Sequence, residues 1–125
     1  NSIMKKILIA EDNENIRELI SVTFTGLSGY DVMEVDSAEK AIEATKTYKP
    51  DLVLMDVMMP GPIDGIEATR IIKNDSDTSG IVIIILTAKG QKQDIEVGKE
   101  VGADDYIIKP FSPGELIRRI ESVLT

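Results

Sequence analysis

Residues 81–86, Ile81-Val82-Ile83-Ile84-Ile85-Leu86, are the longest uninterrupted apolar run in the chain, and their reading decides the fold. A strand with one wet face alternates apolar and polar side chains; this one does not, so protein must cover both of its faces. Ile7-Leu8-Ile9-Ala10 and Leu52-Val53-Leu54-Met55 have the same character, and Asp31 to Val35 and Tyr106-Ile107-Ile108 are shorter candidates. Strands apolar on both sides belong to parallel sheets with helices on each face. At six residues, the run is also far short of the roughly 20 needed to cross a bilayer.

Helical spacing fills the intervals. Ile16, Leu19, Ile20 and Phe24 recur at three- and four-residue steps, as do Leu116, Ile117, Ile120, Val123 and Leu124. Ser112-Pro113-Gly114-Glu115 combines an N-cap serine, a first-turn proline and a glutamate three residues on, a capping box. Asp64-Gly65-Ile66-Glu67 offers a similar start, and Ser37 caps a helix through Ala41, Ile42 and Ala44 that Lys49-Pro50 closes. Gly98 and Gly102 are read at a helix end, with Gly102 the C-cap. The order is βαβαβαβαβα, which predicts a doubly wound α/β domain with right-handed crossovers.

Composition narrows the chemistry. The chain of 125 residues fits one domain, and 42% apolar residues with a mean hydropathy of −0.01 can build a core. Fourteen basic against 22 acidic residues give a net charge of −8, which disfavours nucleic-acid binding by this domain. With no cysteine and no histidine, disulfides, Cys/His zinc sites and Ser-His or Cys-His pairs are excluded. Asn1-Ser2-Ile3 reads as a cloning remnant ahead of a native start at Met4. No apolar signal segment opens the chain, so the expectation is a cytoplasmic protein with no membrane partner.

Doubly wound sheets bind ligands beyond the carboxyl ends of their strands. Here those ends carry Glu11-Asp12, Asp56, Thr87-Ala88 and Lys109-Pro110, so three carboxylates, a hydroxyl and an ammonium share one rim. Clustered carboxylates want a cation, and an all-oxygen set suits Mg²⁺, with Mn²⁺ as a substitute. A lysine and a hydroxyl beside the ion supply what phosphoryl oxygens need, and an aspartate there can be the nucleophile that forms an acyl phosphate.

At these residues the sequence resembles the CheY-like receiver domain of two-component response regulators. The matching pieces are Ile7-Leu8-Ile9-Ala10-Glu11-Asp12, Asp56-Val57-Met58-Met59-Pro60 with Asp64-Gly65, Leu86-Thr87-Ala88, and Gly102 through Phe111. The resemblance implies a five-stranded parallel sheet in flavodoxin-like order 2-1-3-4-5 and a receiver over residues 4–125. It implies Asp56 as phosphoryl acceptor, with Glu11, Asp12, Asp56 and the Met58 carbonyl as Mg²⁺ ligands, Asp12 directly and Glu11 through water. Thr87, Ala88 and Lys109 would bind the phosphoryl group, Thr87 and Tyr106 would switch together, and Lys109-Pro110 would be cis. The donor would be a sensor histidine kinase or phosphotransfer protein, and the output a downstream effector domain or protein. Gly61-Pro62-Ile63 carries one residue more than the family's usual loop.

Each residue also has an ordinary reading. Taken alone, Glu11-Asp12 is a turn, Thr87 a strand-end hydroxyl, Lys109 a solvated lysine, Tyr106 an edge aromatic, and Met58 and Met59 core filler. Asp75-Ser76-Asp77-Thr78-Ser79-Gly80 imitates half a calcium loop, but Leu86 stands where the bidentate glutamate belongs, so it reads as a polar loop closing a helix. A Mg²⁺-dependent phosphohydrolase would want a second acid at Met58, a flavodoxin-like cofactor binder would not place Glu11-Asp12 against a phosphate, and a degenerate receiver would not keep both Asp56 and Lys109. The reading is therefore a self-modifying signalling module rather than an enzyme acting on a substrate. Asp104 to Pro113, with Glu115 and Arg119 a turn apart, is similar to receivers of winged-helix transcription factors, which dimerise through helix 4, strand 5 and helix 5; Ile95 and Lys99 depart from that pattern.

Overall fold

The computed structural model describes residues 4–124; the N-terminal tripeptide and Thr125 lie outside them. The elements are β1 (Lys5–Ala10), α1 (Glu14–Thr25), β2 (Tyr30–Val35), α2 (Ala38–Thr47), β3 (Leu52–Asp56), α3 (Gly65–Asn74), β4 (Val82–Ala88), α4 (Lys92–Glu100), β5 (Asp105–Lys109) and α5 (Pro113–Leu124). The sheet runs β2-β1-β3-β4-β5 with every neighbouring pair parallel. Three strands run past their apolar cores: β3 takes in Asp56, β4 takes in Thr87 and Ala88, and β5 takes in Lys109.

Alternation along the apolar strands splits the core into two layers. Leu8, Ala10, Val53, Met55, Ile83 and Ile85 face α2 and α3, where Ala38, Ala41, Ala44 and Ala68 let those helices approach closely. Ile7, Ile9, Leu52, Leu54, Ile84 and Leu86 face α1 and α5, where Ile20, Phe24, Leu116 and Ile120 fill the space. Each such fully buried aliphatic side chain contributes about 1.5–3 kcal/mol relative to exposure. The fourth helix is different: Gly98 is its one buried residue among those described.

The caps expected from sequence form. Ser112 Oγ accepts the Glu115 N–H at 3.1 Å, Asp64 Oδ1 that of Glu67 at 2.9 Å, and Ser37 Oγ that of Lys40 at 3.2 Å. Ser112→Ala is expected to lower stability by about 1 kcal/mol, read as a fall in the urea midpoint at unchanged slope. The cap of α1, Asn13 Oδ1 on the Ile16 N–H at 3.0 Å, was not anticipated.

Two expectations are corrected. Gly98 lies inside α4 and only Gly102, at φ +104°, follows its end; a Cβ at Gly98 would stand 2.5 Å from Ile85 Cδ1, so the glycine serves close packing. Leu19, placed on the apolar stripe of α1, is 43% exposed, because Ile20 and Phe24 take the positions against the sheet. The segment after α3 closes that helix as read: the buried Thr78 hydroxyl donates to the Ile72 carbonyl at 2.7 Å. No helix among the described residues is long and apolar enough to cross a membrane.

Candidate functional site

Parallel register assembles the site. Ala10 pairs with Met55, Asp56 with Leu86, and Ala88 with Lys109, so the residues that end β1, β3, β4 and β5 reach the same rim. Glu11 is fully buried and Asp56 is 3% exposed, whereas Asp12 is open to solvent. One carboxylate oxygen from each of the three lies within 4.8 Å of the others. The Lys109 ammonium stands between the buried pair, 2.8 Å from Glu11 Oε1 and 3.0 Å from Asp56 Oδ1. Glu11 is further fixed by the Asn13 N–H on Oε2 at 3.1 Å, and Arg17 Nη1 donates to its carbonyl at 2.8 Å. Asn13 and Arg17 were missing from the expected site; the N-cap position of Asn13, just after the acidic pair, was the available signal.

One ammonium cannot neutralise two buried carboxylates and an exposed third. Burial, then the neighbouring Glu11, pushes the Asp56 carboxyl up to about 7, against the pull of Lys109. For Glu11 burial pushes upward too, but hydrogen bonds with Asp56, Lys109 and the Asn13 backbone outweigh it and hold the group below the usual carboxylate range. Burial opposes the charge on Lys109, yet its two acidic partners raise its pKa and keep it an ammonium. Apart from the Lys109 ammonium, Glu11 Oε1 has no hydrogen-bond partner among the described residues, and the all-oxygen donor set of three clustered carboxylates fits a hard divalent cation.

The unfolded chain releases the Asp56 proton near its ordinary 3.8, while the folded chain keeps it to about 7. Between those values the folded state binds more protons, so this group's contribution to stability falls as pH rises from about 4 to about 7. With a chelator present, Asp56→Asn is expected to be more stable than wild type by about 1–3 kcal/mol near pH 8, the gain shrinking towards pH 4. Urea unfolding at several pH values checks it.

Beyond the carboxylates a cavity of about 530 Å³ opens, lined by Asp56, Met58, Thr87, Ala88 and Lys109 and reaching Gln91 and Asp94 at the start of α4. Met58 is 74% exposed, so core filling describes Met59, which is buried, and not Met58. Thr87 is 2% exposed, and its hydroxyl donates to Asp94 Oδ2 at 3.2 Å. The Lys109-Pro110 peptide is cis, as expected. Tyr106 is half-buried on β5, its ring flanked by the Arg119 guanidinium at 5.5 Å and the Lys99 ammonium at 5.8 Å, with Arg119 also paired to Asp105 at 2.8 Å. It lies apart from the carboxylates, beside a second cavity of about 210 Å³ against Ile85 and Ile95.

A flavodoxin-like sheet with an acidic, lysine-bridged rim places this chain among small doubly wound α/β modules that carry a polar site beyond the carboxyl ends of their strands. Comparison with known proteins narrows that class. The chain belongs to the response regulator receiver domain family, whose model matches residues 7–121. It is 48% identical over 120 residues to the phosphate regulon transcriptional regulatory protein PhoB of Pseudomonas aeruginosa, covering 96% of this chain and 52% of the relative. The chain thus spans about half the length of the curated relatives it matches. A response regulator structure from Chloroflexus aurantiacus superposes with a TM-score of 0.90 at 33% identity, covering 97% of this chain and 98% of that one. The receiver domain of a Pseudomonas aeruginosa sensor histidine kinase, solved with magnesium coordinated in its active site cleft, gives 0.85 at 33% identity, covering 95% and 96%.

Proposed function

We propose that residues 4–125 form a phosphorylation-activated receiver that takes a phosphoryl group onto Asp56 from the phosphohistidine of a sensor histidine kinase or phosphotransfer protein. The observation that carries this reading is the Lys109 ammonium held between buried Asp56 and Glu11 beside a third carboxylate. An Asp56 carboxylate oxygen attacks phosphorus, the P–N bond breaks with its electron pair going to the imidazole, and an acyl phosphate forms. Glu11, Asp12, Asp56 and the Met58 carbonyl would hold Mg²⁺, or Mn²⁺ in its place. Bound there, the ion neutralises charge on the transferring group. Lys109, already aimed at Asp56, pairs with a phosphoryl oxygen, while the Ala88 backbone and the Thr87 hydroxyl take others. Movement of Thr87 draws Tyr106 inward and reshapes the surface of α4 and β5. The chemistry is self-modification and its reversal, with no separate substrate.

The half-length match to a transcriptional regulator supports an effector segment or protein downstream, with DNA contact made there and not by this acidic domain. If the protein forms a homodimer, α4, edge strand β5 and α5 make up the face it would use. The setting is the cytoplasm, where the kinase's phosphohistidine is reachable. Incubation with Mg²⁺ and acetyl phosphate, followed by acid quench and intact mass, is expected to add one phosphoryl group that hydroxylamine removes. The adduct is expected to vanish in Asp56→Asn or when Mg²⁺ is chelated. Wild type that stays unmodified with acetyl phosphate and with a panel of histidine kinases would sink the reading.

A further inference from the structure

We propose that Asp94 is a positioning residue that holds Thr87 in the unphosphorylated arrangement and links the first turn of α4 to the phosphoryl site. The proposal rests on the receiver reading above. An acid three residues after an N-cap ordinarily reaches back to cap its own helix. In α4 the N-cap, Gln91, makes no side-chain capping bond, and Asp94 turns its carboxylate away, accepting the Thr87 hydroxyl at 3.2 Å. That bond joins α4 to the end of β4 across the cavity shared by Asp56 and Lys109. The rest of the helix is loosely anchored, since Gly98 is its one buried residue among those described. A side-chain tether at its start therefore weighs heavily in where α4 sits.

A threonine hydroxyl has one hydrogen to donate. Given to Asp94, it is withheld from a phosphoryl oxygen on Asp56; given to the phosphoryl group, it frees Asp94 and the first turn of α4. The two states exclude each other, so the Asp94 bond opposes phosphoryl binding by its own free energy. Asp94 also faces the cavity as a further negative charge, which would oppose an anion there even without Thr87. A double-mutant cycle separates these two routes.

The test is the affinity for beryllofluoride with Mg²⁺, a phosphoryl mimic, in wild type, Asp94→Ala, Asp94→Asn, Thr87→Ala and the Thr87→Ala/Asp94→Ala double variant. Asp94→Ala is expected to bind about tenfold more tightly than wild type. Asp94→Asn, which keeps a neutral acceptor, is expected to fall between them, and in the Thr87→Ala background removing Asp94 is expected to bring a clearly smaller gain, the part due to its charge alone. An Asp94→Ala affinity equal to wild type, or the same gain with and without Thr87, overturns the tether. Wild type that shows no Asp56-dependent binding overturns the receiver reading itself, and this proposal with it.

Discussion

Replacing Lys109 with methionine is expected to slow acetyl phosphate-driven modification of Asp56 by about a hundredfold or more and, in metal-free solution, to lower folding stability by about 2–4 kcal/mol. Methionine keeps the unbranched stem and removes the charge. Among the described residues the ammonium is the one cation placed within 3.0 Å of both Glu11 and Asp56, and its side chain is only 21% exposed. Without it two buried carboxylates face each other. The folded variant relieves that repulsion by holding a proton, so its deficit should be largest above neutral pH and shrink in mild acid. Saturating Mg²⁺ would restore part of the stability, because a divalent ion also offsets the charge. The transfer defect would persist, because Lys109 is aimed at Asp56 and a solvated metal does not replace that direct contact. Modification rates by intact mass, with urea unfolding with and without Mg²⁺, separate the two effects. A variant that is phosphorylated at the wild-type rate would remove Lys109 from the phosphoryl site.

The sequence made the fold and most of the rim legible for one physical reason: a polar residue directly follows each central apolar run. Ile7–Ala10 stops at Glu11, Leu52–Met55 at Asp56 and Ile81–Leu86 at Thr87, and parallel register then carries those ends to one edge. The link between Asp94 and Thr87 was not legible. Lys92-Gln93-Asp94-Ile95-Glu96-Val97-Gly98 has too few apolar positions to fix how α4 faces the sheet, so the direction of Asp94 could not be read from spacing. Leu19 was misplaced for a related reason, since helical periodicity marks a stripe wider than the sheet covers. Gly65 reads in the sequence as part of a helix start, and its steric role arises only from the tertiary approach of α3 to the end of β3.

Gly65→Ala is expected to cost about 3 kcal/mol or more of a total near 5–15 kcal/mol and to damage phosphorylation along with stability. Propensity alone points the other way, because alanine is the better helix former by about 1 kcal/mol and Gly65 does not adopt a positive φ. Space decides against it. A Cβ at Gly65 would lie 1.9 Å from the Asp56 carbonyl oxygen, 2.8 Å from its carbon and 3.0 Å from Met55 Cγ. Two of those atoms are backbone at the end of β3 and cannot swing away, and the Gly65 N–H is pinned to the Val57 carbonyl at 2.9 Å. Relief therefore requires α3 to back off from the strand end, or Asp56 to shift, and either movement spoils the aim of its carboxylate at Lys109. Gly98→Ala sets a milder standard, since its clash is with the flexible end of Ile85, and Gly80→Ala, with nothing within 4 Å, should be nearly neutral. Thermal and urea unfolding of the three variants would rank them. If Gly65→Ala unfolded like Gly80→Ala, the close seating of α3 on the end of β3 would be wrong, and the placement of Asp56 would have to owe its precision to something other than that contact.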